Sequence, residues 1–117
     1  MKARLPKGYS NGGNTTNIQQ LARQAQKMQE EMDAASKELE EKEYTATAGG
    51  GAVNAVVNGK LEIVSLDIKK DVVDPDDIDM LSDLIIASVN EAIRKARDEK
   101  AEVMDKISGG LNVPGLL

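Results

Sequence analysis

Basic side chains near the start of the chain are its clearest candidates for binding chemistry. Residues 1–29 contain five cations and no acidic residue, whereas the whole chain carries a formal charge of -5. The five cations are Lys2, Arg4, Lys7, Arg23 and Lys27. This asymmetry indicates a local surface that attracts phosphate groups, on a protein that otherwise repels them. The alternative is a solvated charged surface with no binding role.

A second group of cations falls on a predicted helix in the C-terminal half of the chain. Its members, interspersed with acidic residues, are Arg94, Lys95, Arg97, Lys100 and Lys106. Two long helices that leave the same end of a sheet run antiparallel, which would bring this group close to Arg23 and Lys27. We therefore predict one basic end whose phosphate-binding residues are Arg23, Lys27, Arg94, Lys95 and Arg97, assisted by Lys2, Arg4 and Lys7.

The composition argues against an enzyme. The chain has no cysteine and no histidine, which excludes thiolate nucleophiles, imidazole bases and metal sites built on those ligands. The glycines at 49–51 do not complete a dinucleotide fingerprint, because position 54 is Asn54 rather than glycine. The acidic run at 71–83 lacks the central glycine and the closing glutamate of an EF-hand loop. We therefore expect no catalysis, no cofactor and no bound metal.

The first element that positions the basic residues is a long amphipathic helix. Thr16 and Gln19 fit a capping box, so the helix is predicted from Thr16 to about Glu43. Its apolar seam has the three-and-four spacing of a coiled coil and consists of Ile18, Leu21, Ala25, Met28, Met32, Ala35 and Leu39. Residues 1–15, rich in glycine and asparagine, are predicted to form a flexible basic arm. The helix places its cations before its acids, opposite to the order that the helix dipole favours, and this points to a functional role.

Three short strands and a second long helix follow. The strands are predicted at 44–48, 52–57 and 60–68, with Asn58 and Gly59 forming a two-residue hairpin turn in which both adopt positive φ. Asp74 is the predicted N-cap of the second helix and Pro75 its first residue. This order predicts an α+β fold, α-β-β-β-α, with a three-stranded antiparallel sheet and two long helices. A single domain would span 16–110, followed by a tail at 111–117.

Several short motifs occur in a characteristic order along this chain. They are Gln24-Ala25-Gln26-Lys27-Met28-Gln29, Ala48-Gly49-Gly50-Gly51-Ala52-Val53, Asn58-Gly59-Lys60, Asp83-Leu84-Ile85 with Val89-Asn90-Glu91-Ala92, and Gly109-Gly110-Leu111 with Pro114-Gly115. From about Asn17 onward the chain thus resembles the YbaB/EbfC family of bacterial nucleoid-associated proteins. The resemblance implies a tweezer-like homodimer that binds double-stranded DNA without a cofactor. It also implies a role in nucleoid organisation or gene regulation, and a link to recombination or replication proteins.

The resulting interpretation is a dimeric, non-enzymatic protein that binds duplex DNA mainly through phosphate contacts. Weak sequence preference is expected, because phosphate contacts position a protein without reading bases. The chain lacks an apolar run of about 20 residues and a secretory signal, so a cytoplasmic, nucleoid location without membrane contact is expected. The rival interpretation is a protein-interaction module that holds a partner's helix through the apolar seam and does not bind DNA.

Overall fold

Two long helices flank a three-stranded antiparallel sheet in the computed structural model, which describes residues 6–109 and their side chains from Asn17 onward. The elements in chain order are α1 (Pro6–Glu40), β1 (Glu43–Ala48), β2 (Val53–Asn58), β3 (Ile63–Ile68), a short 3-10 turn (Lys70–Val72) and α2 (Ile78–Ser108). The strands lie in the order β1-β2-β3. This arrangement confirms the predicted α-β-β-β-α fold.

Helix α1 begins earlier than the sequence predicts. It starts at Pro6, so Thr16 lies inside the helix rather than at its N-cap, and residues 6–15 are helical where a flexible arm was expected. Proline suits the first helical position because its fixed φ is already helical and it has no N–H to satisfy. The glycines that follow weaken a helix by about 1 kcal/mol each relative to alanine, but they do not prevent one.

The core lies between α2 and one face of the first two strands. Directly paired residues share a sheet face, and Tyr44 pairs with Val57 while Ala46 pairs with Ala55. These four side chains are buried. Helix α2 covers them with small residues at positions 88, 92 and 96, which are Ser88, Ala92 and Ala96. Since these side chains are short, the helix lies close to the sheet and buries little volume.

The turn between β2 and β3 is wider than the predicted two-residue hairpin. The N–H of Asn58 donates to the carbonyl of Glu62 at 3.0 Å, and the Asn58 Oδ1 accepts from the N–H of Lys60 at 2.9 Å. Positive φ falls on Leu61, at 66°, and not on Gly59. The prediction of positive φ at Asn58 and Gly59 is therefore wrong. A register shift between Val56 and Val57 accompanies this longer loop.

Gly59 is required for a different reason, which is a close approach to helix α1. A Cβ atom built on Gly59 would lie 1.8 Å from the carbonyl oxygen of Leu39 and 2.8 Å from the Cα of Glu40. Both are backbone atoms at the end of α1, so they cannot yield as a flexible side chain would. Gly59 thus allows the last turn of α1 to rest against the β2–β3 loop.

Helix α2 begins three residues later than predicted. Its N-cap is Asp77, whose Oδ1 accepts from the N–H of Met80 at 3.2 Å. Asp74 is already engaged in a preceding turn, because its Oδ1 accepts from the N–H of Asp76 and its carbonyl accepts from the N–H of Asp77. The Asp74-Pro75 pair therefore forms this turn and leaves the capping to Asp77.

The molecule is elongated because α1 extends far beyond the sheet. Its extents are 85 × 25 × 16 Å and its radius of gyration is 24.4 Å, against about 13 Å for a compact domain of this length. Helix α2 packs on β1 and β2, and α1 packs on α2. Strand β3 forms an open edge of the sheet.

Candidate nucleic-acid interface

The N-terminal half of α1 projects past the end of α2. One cleft is lined by Ala35 and Leu39 of α1 together with Glu99 and Val103 of α2, so the two helices run antiparallel there. Five residues beyond Val103, α2 ends at Ser108. At equal rise per residue, this end lies level with about residue 30 of α1. We call residues 17–29 of α1, which lie beyond this level, the α1 extension.

The α1 extension carries two exposed cations and no acid. Arg23 and Lys27 are both exposed, as the sequence predicts. Within residues 17–109, where side chains are described, neither forms an ion pair with a carboxylate. Their charges are therefore not neutralised by direct contacts and are available to a phosphate group.

The predicted meeting of all five cations at one basic end is wrong. Ala96 of α2 lines a cleft with Leu39 of α1, so Arg97 lies at the level of the last turn of α1. Lys27 is twelve residues before Leu39, which is about 18 Å along the helix axis. The cations are separated because the first half of α2 lies over the sheet, and only its second half follows α1.

The cations on α2 are also partly engaged by the protein itself. Lys95 donates from its Nζ to the backbone carbonyl of Thr45 at 2.7 Å, which ties α2 to β1. Arg94 pairs with Glu91 one turn earlier. Arg97 is exposed, and it has no ion-pair partner within the described side chains. Arg97 is therefore the member of this group with the most freedom to bind an anion.

The three remaining predicted residues cannot be placed on this surface. Lys2 and Arg4 lie outside the described residues, and so does the side chain of Lys7. The backbone of Lys7 belongs to the first turn of α1. Their assistance in phosphate binding remains a prediction.

A polar junction holds the base of α1 against α2, and sequence reasoning missed it. Glu99 accepts from the Tyr44 hydroxyl at 2.6 Å and pairs with the Lys42 Nζ at 2.7 Å. Lys42 lies in the connection between α1 and β1. Because the partners are 55 and 57 residues apart in sequence, no local spacing could reveal them.

The junction is polarised in a way that keeps it intact near neutral pH. Burial raises the pKa of Tyr44 to about 12, and the hydrogen bond to Glu99 acts in the same direction. The hydrogen bonds from Lys42 and Tyr44 hold the pKa of Glu99 below its usual value. Tyr44 therefore remains a neutral donor and Glu99 a charged acceptor, which is the pairing that gives strong hydrogen bonds.

Strand β3 presents an uncovered apolar surface on the same face of the sheet as the core. Ile63 pairs with the buried Val57 and Leu66 with the buried Ala55, yet Ile63 is 55% exposed and Leu66 is 36% exposed. The reason is that α2 covers β1 and β2 but stops short of β3. Ile86 of α2 is also exposed, at 54%. An exposed apolar patch on an open edge strand is typical of a surface for association.

Metal binding and membrane insertion both have clear structural requirements. No cluster of three or more carboxylates that could hold a metal ion is found within the part of the chain that the structure describes. Over the same residues, neither helix combines the length and apolarity needed to cross a bilayer.

Comparisons with known proteins give a consistent set of relatives. The model of the YbaB/EbfC DNA-binding family matches residues 13–111. A nucleoid-associated protein of Clostridium novyi is 53% identical over 109 residues, covering 93% of this chain and 96% of the relative. A nucleoid-associated protein of Clostridium acetobutylicum is 52% identical over 112 residues, covering 96% and 100%.

A solved structure shares the fold. The crystal structure of an uncharacterized protein from Helicobacter pylori aligns with a TM-score of 0.65, covering 76% of this chain and 94% of that one. The two sequences are 19% identical, so this likeness concerns the arrangement of helices and strands alone.

Proposed function

Since the chain belongs to the YbaB/EbfC DNA-binding family, we propose that it is a nucleoid-associated protein that binds duplex DNA mainly through phosphate contacts. The observation that carries this proposal is the α1 extension, which holds Arg23 and Lys27 exposed and away from the acidic body. Cations in this position contact phosphates at short range, while the net charge of -5 keeps the rest of the surface off the DNA. Weak sequence preference follows, because phosphate contacts do not distinguish bases.

The proposed setting of this activity is the nucleoid. The Clostridium relatives are named nucleoid-associated proteins, and a protein that binds DNA without strong sequence preference suits a role along the whole chromosome. Changes in DNA conformation, gene expression or recombinational repair are the effects that we propose for it. Recombination or replication proteins are the further partners in this proposal.

A DNA titration at two salt concentrations tests the proposal. Each phosphate contact releases counterions, so the logarithm of affinity should fall with the logarithm of salt with a slope of about -0.9 per contact. Fluorescence anisotropy of a labelled duplex at about 50 and 200 mM salt measures this slope. Equal affinity for duplexes of unrelated sequence is expected. A protein that does not bind duplex DNA at the lower salt concentration contradicts the proposal.

The rival function keeps one observation in its favour. Ile18 and Leu21, at the start of the apolar seam, are 63% and 58% exposed, so a partner's helix could pack there. An interaction module of this kind would bind no DNA at either salt concentration. The same titration therefore decides between the two functions.

We also propose that the functional unit is a homodimer. The support is the uncovered apolar surface formed by β3 and Ile86, together with a protomer core made largely of alanine and valine. A dimer through this surface would cover the open edge of the sheet and continue the core across two protomers. It would also place two α1 extensions on one particle, which multiplies the phosphate contacts made with a single duplex.

The mass of two matched variants in solution tests the dimer. The unaltered chain should have twice its mass of 12.6 kDa by light scattering at micromolar concentration. Ile63→Lys should reduce the mass to that of a monomer, because it places a charge on the apolar face of β3. Ser65→Lys is the control, since Ser65 pairs with Val56 on the opposite face of the same strand. A monomeric unaltered chain, or an Ile63→Lys variant that stays dimeric, refutes the proposed interface.

A further inference from the structure

The apolar seam of α1 loses its cover toward the N-terminus. Leu39 is buried, and Met32 and Ala35 are half-buried where α2 runs alongside. Ile18 and Leu21 are 63% and 58% exposed. The seam therefore continues for about three turns beyond the point at which α2 ends. Apolar residues repeated along one face of a helix normally pack against something.

The chain leaves α2 at the place where this seam becomes bare. Helix α2 ends at Ser108, level with about residue 30 of α1, and it runs antiparallel to α1. Its last apolar residues, Met104 and Ile107, are half-buried. A chain that continues in the same direction therefore passes along the seam from Met28 toward Ile18.

Residues 110–117, which lie outside the described residues, have the chemistry of such a cover. This segment contains no charged residue, although charged residues make up 30% of the chain. Its apolar members are Leu111, Val113, Pro114, Leu116 and Leu117. Eight residues reach about 26 Å when extended, whereas the seam from Met28 to Ile18 is about 15 Å long. The segment is long enough to cover it.

We infer that residues 110–117 pack along the exposed seam of the α1 extension, against Ile18, Leu21, Ala25 and Met28 of the same chain. The packing removes apolar side chains of both segments from water, which is the driving force. It supports the α1 extension from the seam side and leaves Arg23 exposed, because Arg23 lies two residues, or about 200°, around the helix from Leu21. This packing does not depend on DNA binding.

Cysteine cross-linking tests this packing, and the natural absence of cysteine gives a clean background. The test variant carries Leu21→Cys and Val113→Cys, and the control carries Arg23→Cys and Val113→Cys. Both α1 positions are at nearly the same height on the helix, so only the face differs. Both replaced α1 side chains are exposed, so neither variant removes a buried residue. A mild oxidant is added, and disulfide formation is followed on a denaturing gel without reductant.

The packed arrangement predicts that the Leu21→Cys pair closes at least about tenfold faster than the Arg23→Cys pair, within single chains of 12.6 kDa. Equal rates for the two pairs would show that the segment visits both faces alike and would overturn the inference. Cross-linking only at twice the chain mass would show that the seam is covered by a second copy, which also overturns it.

Hydrogen exchange gives a second, independent measurement. A Leu111→Asp/Val113→Asp variant should exchange the amides of residues 17–28 several-fold faster than the unaltered chain, since local opening becomes easier. Asn112→Asp is the matched control, because it adds a charge to the same segment without removing an apolar side chain. Unchanged exchange in the double variant contradicts the packing. Neither measurement uses DNA, so a failure here is distinct from a failure of the proposed function.

Discussion

Replacing Gly59 with alanine is expected to destabilise the protein severely. The new Cβ would lie 1.8 Å from the Leu39 carbonyl oxygen, and a backbone atom at that distance must move. Overpacking of this kind costs about 1–3 kcal/mol when side chains can adjust, and more when they cannot. We expect the free energy of unfolding to fall by about 3 kcal/mol or more, measured by urea denaturation. Gly59→Val should be at least as damaging.

Gly109→Ala is the matched control for this prediction. Gly109 has a helical φ of -59° and no atom within 4 Å of an added Cβ, so the change should stay within about 0.5 kcal/mol. If Gly59→Ala unfolds at the same urea concentration as the unaltered chain, then α1 does not end against the β2–β3 loop. If it keeps its stability but binds DNA more weakly, Gly59 belongs to the binding surface instead.

A double replacement of Arg23 and Lys27 with alanine should weaken DNA binding for all sequences alike. The slope of log affinity against log salt should shrink in magnitude by about 0.9 for every phosphate that the variant no longer binds. Folding should be nearly unaffected, within about 0.5 kcal/mol, because both side chains are exposed and have no ion-pair partner within the described residues. The measurements are duplex titrations over a range of salt and a thermal melt.

Charge variants elsewhere on the chain serve as controls for this prediction. Glu38→Gln and Glu41→Gln remove negative charge near the base of α1, so affinity should stay constant or rise slightly. Arg94→Ala with Lys95→Ala should have a smaller effect than the Arg23 and Lys27 pair, because those two side chains already contact Glu91 and Thr45. An Arg23→Ala/Lys27→Ala protein with the parental affinity and salt slope would place the DNA-binding surface elsewhere.

The order of the elements could be predicted from the sequence because it depends on local patterns. The three-and-four spacing from Ile18 to Leu39 and the alternation in the strands are visible within short windows. Element ends were harder, since two residues competed for the same task. Asp74 and Asp77 can both cap a helix, and only the turn that engages Asp74 assigns the cap to Asp77.

The candidate site was predictable in residue type but not in arrangement. The exposure of Arg23 and Lys27 followed from their position off the apolar seam. Their distance from Arg97 did not, because it depends on how far α2 slides along the sheet before it meets α1. The Tyr44–Glu99–Lys42 junction and the contact of Gly59 with Leu39 are likewise long-range, and the sequence contains no local pattern for either.

The narrow attachment of α1 makes it a lever. The helix is held near Leu39 by the polar junction and the β2–β3 loop, and Asn17 lies about 33 Å farther along its axis. A tilt of about 10° at this attachment displaces Asn17 by about 6 Å, which is half the width of a DNA major groove. In the proposed dimer, the gap between two such levers changes by up to twice that distance. The protein can therefore adjust its grip to the width and curvature of a duplex through a small rotation, while the sheet and its alanine-rich core stay as they are.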